Sequence, residues 1–278
     1  METARGKQHI QDWITQQWVI FFGTRINRKE HEWLLGPFGT TNGIGSKFIE
    51  QLAEKEELVI DRNQKGKGLI QSIDQLNLPN ASNLLPKVVI DFYENTSNYE
   101  FDLKVKWNPF FKGCGMLLKF LFTNRIEQLN LPIKNIKDSR ALTSEIIQLI
   151  DTKSNNIKRT VWLRTFKTTK QVVYSGVYEF CVIPSGQTCI KAIFPLPNGN
   201  ATVILKPNIG KNGELVLKSS GKKFGDSGFY FLLSDSKGNL WAKFIGSFED
   251  KLVARSSKND SILVEQELTL WKLNVLKI

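Results

Sequence analysis

The sequence has few of the residues that build metal centres and disulfide frameworks. Among its 278 residues there are only 3 cysteines and 2 histidines. Cys114, Cys181 and Cys189 cannot all pair, and none stands in a Cys-x-x-Cys arrangement, so we expect reduced, mostly buried thiols. Because His9 and His31 stand alone, the sequence excludes a histidine-rich metal site. We expect neither a metal nor another cofactor.

Long apolar runs are also missing. The most apolar short run, residues 116–122, is interrupted by Lys119, and no stretch approaches the roughly 20 apolar residues that a membrane-spanning helix needs. The first residues carry charges, among them Arg5 and Lys7, and lack the apolar core of a secretory signal. The sequence therefore predicts a soluble protein without a transmembrane segment and with a cytoplasmic location.

Basic residues exceed acidic ones by 38 to 27, a formal net charge of +11. The excess is concentrated in residues 151–170 and 206–223. It predicts a weak electrostatic association with anionic surfaces, such as phospholipid or nucleic acid. Trp162, Arg164 and Phe166 alternate along one candidate strand, so they could stack bases and neutralise phosphates. The simplest interpretation of the charges is that they are solvated and keep the protein soluble.

Residues 1–150 mix helical and strand patterns and form the first predicted region. Apolar residues at helical spacing predict three helices, over residues 46–57, 115–129 and 139–150. In the third helix, Asp138 or Ser139 is the expected N-cap. Between the first two helices, alternating apolar residues predict a β-hairpin that joins residues 88–93 to residues 99–107.

Residues 151–159 are polar and predict a linker to a second region, residues 160–278. There the apolar pattern has a period of two and is interrupted by turn signals, among them Asn198-Gly199 and Asn212-Gly213. This pattern predicts an antiparallel β-meander that forms a barrel, a curved sheet or a sandwich. The predicted fold class is α+β.

One motif resembles a catalytic sequence. Gly225-Asp226-Ser227-Gly228 resembles the segment around the nucleophile of chymotrypsin-like serine proteases, but Phe229 follows where that family has another glycine. His31 lacks the family's Ala-Ala-His-Cys setting. The four residues are therefore interpreted as a tight turn, in which Asp and Ser accept backbone hydrogen bonds and glycine supplies positive φ.

The meander, the 18 phenylalanines and the basic excess favour a non-enzymatic binding protein. The expected ligand is a small apolar or amphipathic molecule with an anionic head group, held inside the β-region. The predicted pocket residues are Tyr174, Tyr178, Phe194, Phe229, Phe231 and Trp241, with Lys191 or Lys206 holding the head group.

Two alternatives remain open at this stage. The first is an enzyme with a site in the cleft between the two halves, which would use residues such as His31, Asp91 or Asp226. No spacing forces these groups to share a cleft, so the sequence identifies no catalytic set. The second alternative is a basic adaptor for nucleic acid or a membrane surface. No motif assigns the chain to a family.

Overall fold

In a computed structural model, the chain is described over residues 3–6, 8–40, 44–45, 47–63, 65–100, 104–112, 142–167, 169–258 and 261–278. Besides the helical residues 109–112, the described α-helices lie within residues 10–94. They are α1 (Ile10–Phe22), α2 (Lys47–Glu56), α3 (Ala81–Leu84) and α4 (Lys87–Glu94). Short 3-10 helices cover Glu32–Leu34, Ile73–Leu76 and Thr96–Asn98.

A 14-stranded antiparallel sheet makes up most of the rest. The strands before residue 142 are short: β1 (Thr24–Ile26), β2 (Leu58–Asp61) and β3 (Lys106–Trp107). The later strands are β4 (Leu142–Asp151), β5 (Ile157–Phe166), β6 (Val172–Val182), β7 (Thr188–Leu196), β8 (Gly199–Ile209), β9 (Leu215–Lys218), β10 (Gly228–Ser234), β11 (Leu240–Phe244), β12 (Phe248–Ser256), β13 (Ile262–Leu270) and β14 (Leu273–Lys277). Helices that come first and an antiparallel sheet that follows confirm the α+β class.

The sheet divides into two branches at β8. Strands β4 to β8 form consecutive hairpins, and β7 pairs along one edge of β8. On the other edge, the first half of β8 pairs with β10 and the second half pairs with β9. One branch continues through β11 to β1, and the other through β12, β13 and β14 to β3. The longest series of paired strands runs from β2, through β4 to β9 and β12 to β14, to β3. Among the described strands, β2 and β3 do not pair with each other, so the described sheet is open.

The two faces of the sheet have different partners. We call the face that carries α2 the outer face; there Phe48, Ile49 and Leu52 of the helix pack with Ile147 and Val161 of the sheet. The opposite face is the inner face. Helix α4 packs on it through Val89, Phe92 and Tyr93, which belong to the same core as Val203 and Leu205 of β8 and Leu217 of β9. Side chains alternate between the faces along each strand, so one strand can serve both cores.

The prediction of a helix over residues 46–57 is confirmed by α2, whereas the predicted helix over residues 139–150 is wrong. Residues 142–151 form β4, which pairs with β2 and β5. Ile146 and Ile147 are both 0% exposed, so β4 is buried on both faces. A strand of this kind lacks a two-residue alternation, and its apolar spacing then matches a helix. The predicted helix over residues 115–129 lies outside the described residues.

The predicted hairpin over residues 88–107 is also wrong. Residues 87–94 form α4, and Pro86 precedes its first turn, where its fixed φ and missing N–H are tolerated. The run Val88-Val89-Ile90 is β-branched and suggested a strand, but burial of Val89, Phe92 and Tyr93 on one helical face outweighs that preference. In residues 99–107, only Lys106–Trp107 is a described strand, and it pairs with β14.

The predicted linker contains the turn of a hairpin. Asp151 ends β4, and its Oδ1 accepts hydrogen bonds from the backbone N–H groups of Lys153 and Ser154. Asn155 takes the positive φ of 55° that the turn needs, and β5 starts at Ile157. The meander therefore begins at Leu142 rather than near Thr160. The division of the chain into two domains stays a prediction.

Val161 and Val59 allow a matched test of the outer-face core. Val161 in β5 is 0% exposed beneath α2, whereas Val59 in β2 is 53% exposed. We expect Val161→Ala to lower the free energy of unfolding by about 2 kcal/mol, because two buried methyl groups are lost and a cavity remains. Val59→Ala removes the same groups from a strand, so it should cost less than about 0.5 kcal/mol. Urea unfolding measures both; equal losses would contradict this packing.

Candidate functional site

A cavity of about 1050 Å³ lies on the inner face of the sheet. Residues of β3 to β10 and of β12 to β14 line it, and residues of α1 and α4 line it from the helical side. The lining is mostly apolar. Because residues of both branches of the sheet face the same space, the fork at β8 is what brings the two walls of the cavity together.

One wall of the cavity, which we call the aromatic wall, consists of Trp162, Tyr174, Tyr178, Phe194, Phe229 and Phe231. Several of these residues lie opposite a small residue on the neighbouring strand. Gly176 lies opposite Trp162, and Ala192 lies opposite Tyr178. Ala201 in β8 lies opposite both Phe194 and Phe231, because β8 pairs on both edges. Directly opposed residues on one face of an antiparallel pair contact each other, so a small partner leaves open the space that a second large side chain would fill. Ala192 and Ala201 line the cavity, whereas the rings of Phe194 and Tyr178 fill the space beside Gly176.

The aromatic rings of this wall hold one another in place. Tyr174 makes edge-to-face contacts with Trp162 and Phe194, with ring centroids 5.9 and 6.0 Å apart. Phe229 contacts Phe231 at 5.2 Å and Phe248 of β12 at 5.1 Å. Such contacts add to the free energy of area burial and restrict the rotation of the rings. The wall is thus a preformed apolar surface.

Arg164 is the cationic side chain within the aromatic part of this lining. Its guanidinium carbon lies 4.4 Å from the centroid of the Trp162 ring and 5.7 Å from that of Tyr174. At these distances a guanidinium is attracted by the ring faces, which fixes the plane of its donors. Arg164 can therefore present oriented N–H groups to an anionic or hydrogen-bond-accepting part of a ligand.

Asp250 is one of two buried aspartates of the lining, the other being Asp12 of α1. It projects from β12 and is 6% exposed. Its Oδ2 accepts a hydrogen bond of 2.8 Å from Nε2 of Gln266, while its buried Oδ1 has no hydrogen-bond partner among the described residues. Loss of solvation on burial raises the pKa of this carboxyl to about 7, and the bond from Gln266 offsets the rise only in part.

The structure brings together five of the predicted ligand-binding residues and places three elsewhere. Tyr174, Tyr178, Phe194, Phe229 and Phe231 all line the cavity. Their role in binding a ligand stays a prediction.

The three remaining residues lie outside the cavity lining. Lys191 is 3% exposed and forms an ion pair of 3.2 Å with Glu179. Its ammonium also donates to the backbone oxygen of Leu35. Lys206 is exposed to solvent. Trp241 packs in the small core beneath α1 and donates from Nε1 to Asp235 Oδ2 at 3.1 Å.

Sequence reasoning did not identify Asp250 and Gln266 as site residues. The signal that could have found Asp250 is the alternation of Phe248, Asp250 and Leu252 along β12, which places an acid on an otherwise apolar face. Arg164 was noticed through its spacing from Trp162, but only as one member of an alternative surface for nucleic acid. All three residues line the cavity instead.

Two of the residues considered for catalysis, Asp91 and Asp226, have separate structural partners. Asp91 in α4 accepts hydrogen bonds from the Asn95 amide and the Tyr99 hydroxyl. Asp226 accepts from the backbone N–H groups of Lys222 and Lys223 in a turn where Gly225 has a φ of 101°. The tight-turn interpretation of residues 225–228 is therefore confirmed. Within the described part of the chain, no group of three or more His, Cys, Asp or Glu side chains could hold a metal ion.

Comparison with known proteins gives one distant similarity. Over 190 residues the chain is 26% identical to the "Uncharacterized membrane protein YndJ" of Bacillus subtilis (strain 168). The match covers 67% of this chain and 33% of that protein, so the chain corresponds to about a third of its relative. No protein-family model and no solved structure matches the chain. Among the helices in the described ranges, none is long and apolar enough to cross a membrane.

Asp250 should make stability depend on pH in a predictable direction. Its pKa is 3.8 in the unfolded chain and about 7 in the folded protein, so the folded state binds the extra proton between these values. The contribution of Asp250 to the free energy of unfolding is therefore fully present below pH 4. It is lost as pH rises to about 7, at no more than about 1.4 kcal/mol per pH unit.

Asp250→Asn removes this titration and keeps the shape of the side chain. The free energy of unfolding of the wild type, minus that of the variant, should fall as pH rises from about 4 to about 7. Denaturant unfolding at several pH values measures the difference. Parallel pH profiles for the two proteins would show that the carboxyl is not buried as described.

Proposed function

We propose that the protein binds a small apolar or amphipathic molecule in the inner-face cavity, without catalysing a reaction on it. The observation that carries the proposal is the cavity itself, about 1050 Å³ with a preformed aromatic wall. Cavities that take drug-sized ligands and cofactors hold roughly 300–1,000 Å³, are mostly apolar and contain a few fixed polar groups. Arg164, Asp250 and Gln266 are such groups.

The polar groups support an amphipathic ligand more than a purely apolar one. The basic residues of the lining also include Lys104, Lys158 and Arg159, but Arg164 is the one stacked on the rings of Trp162 and Tyr174, so an anionic head group beside the aromatic wall would contact it. A hydroxyl or amine on the ligand would meet the free Oδ1 of Asp250. The Bacillus relative is named a membrane protein, which supports membrane lipids as the source of such molecules.

Native mass spectrometry after exposure to a lipid extract tests the proposal. We expect the wild type to carry a bound small molecule in addition to its bare mass. Ala192→Phe places a ring in the space opposite Tyr178, so it should reduce the loaded fraction at least about tenfold. Thermal unfolding shows whether each variant remains folded.

Val182→Phe is the matched control. It introduces the same ring one strand away, at a position that is 57% exposed and does not line the cavity. It should load like the wild type. A wild type that shows only its bare mass, or equal loading of the Ala192→Phe variant and the control, would contradict the proposal.

A further inference from the structure

Helix α1 has its polar and apolar sides reversed with respect to an ordinary surface helix. The side that faces the protein carries Asp12 and Gln16 as well as Val19 and Ile20, all of them buried. The outward side carries large apolar residues that are 37% to 76% exposed: Ile10, Trp13, Ile14, Trp18, Phe21 and Phe22. A surface helix normally turns its apolar stripe toward the core.

Specific contacts fix this orientation. Gln16 donates from Nε2 to the backbone oxygen of Pro197 at 2.8 Å, and its amide exchanges hydrogen bonds of 2.8 and 2.9 Å with that of Gln8. Val19 and Ile20 pack with Leu233 of β10. Rotating the helix to bury its outward side would break these bonds and expose the small core below it. The apolar stripe is therefore held outward by the fold.

The composition of the outward side matches the interface of a bilayer. Asp12 is the only charged residue of α1, and it is buried, so the exposed side has no charged side chain. Two Trp and two Phe residues contribute most of its area. Tryptophan is enriched at the level of lipid head groups, and helices that lie in this plane bury Trp, Phe and Leu in the acyl boundary.

Cationic groups stand beside the C-terminal end of the stripe. Lys243 Nζ donates to the backbone oxygen of Phe22 at 2.9 Å, which places its charge at the last turn of α1. Arg25 and Arg28 follow the helix and are exposed. The chain as a whole has a net charge of +11. An apolar stripe with cations at its border is complementary to a membrane that contains anionic phospholipids.

We infer that α1 docks the protein on the surface of a phospholipid bilayer that contains anionic lipids, with its outward stripe inserted among the acyl chains. This site is distinct from the cavity, and the inference goes beyond the proposed function. It assigns to α1 an in-plane position at the membrane surface.

The test uses the full chain and two kinds of vesicle, one of phosphatidylcholine alone and one that also contains phosphatidylserine. We expect the wild type to float with the vesicles, more strongly with phosphatidylserine and less at high salt. Phe21→Ser combined with Ile14→Ser should weaken the binding at least about tenfold, because two apolar side chains leave the membrane. Fluorescence of Trp13 and Trp18 should shift to shorter wavelength when vesicles are added.

The matched control is Phe110→Ser combined with Leu273→Ser. These residues are 78% and 55% exposed, compared with 76% for Phe21 and 57% for Ile14, and they lie at the β3–β14 edge. The control should bind vesicles like the wild type. Binding that is unchanged in the α1 variant, or a wild type that stays in solution, would overturn the inference. So would a lipid-free wild type that self-associates in sedimentation when the α1 variant does not.

Discussion

The structure depends on how β8 shares its hydrogen bonds. Residues 199–205 pair with β7 on one edge, residues 199–204 pair with β10 on the other edge, and residues 206–209 pair with β9. A single sheet thereby diverges into two branches, one through β10 and one through β9. The cavity lies where the inner faces of the two branches meet, and the small residues Ala192 and Ala201 are part of its lining.

The polar groups of the cavity have a cost that the surrounding packing must offset. Arg164 is stabilised by the ring faces of Trp162 and Tyr174. Asp250 has one hydrogen-bonded oxygen and one without a partner among the described residues, and burial of the charged form is unfavourable. Groups of this kind lower the stability of an apolar core, and each one in a folded protein needs a specific explanation.

The sequence predicts the elements whose signals are local. The amphipathic pattern of α2, the turn at Gly225 and the hairpins after Asn198 depend on neighbouring residues alone, and the structure confirms each of them. Strand β4 and helix α4 depend on partners distant in sequence: β4 is covered on both faces, and Val89 and Phe92 of α4 are buried in a core that also contains residues of β8, β9 and β12. Local propensity could not supply those partners.

The residues of the candidate site divide in the same way: some could be predicted from local signals, and others depend on strands distant in sequence. Alternation along β6, β7 and β10 was enough to select five of the aromatic lining residues, because aromatic residues at every second position face one side of a sheet. Lys191 was selected by its charge, yet its strand turns it to the face where Glu179 neutralises it. Asp250 lies on a separate branch, and only the fork at β8 brings it to the aromatic wall.

Helix α1 lies between the cavity and the exterior of the protein. Gln16 and Val19 line the cavity, while Phe21 and Ile14 face away from the protein, so the wall between these surroundings is one helix thick, about 10 Å. Any molecule that shifts the helix from one side changes the contacts available on the other. If binding on either side shifts the helix, occupancy of the two sides is thermodynamically linked, and the linkage is reciprocal: each side then alters the affinity of the other by the same factor.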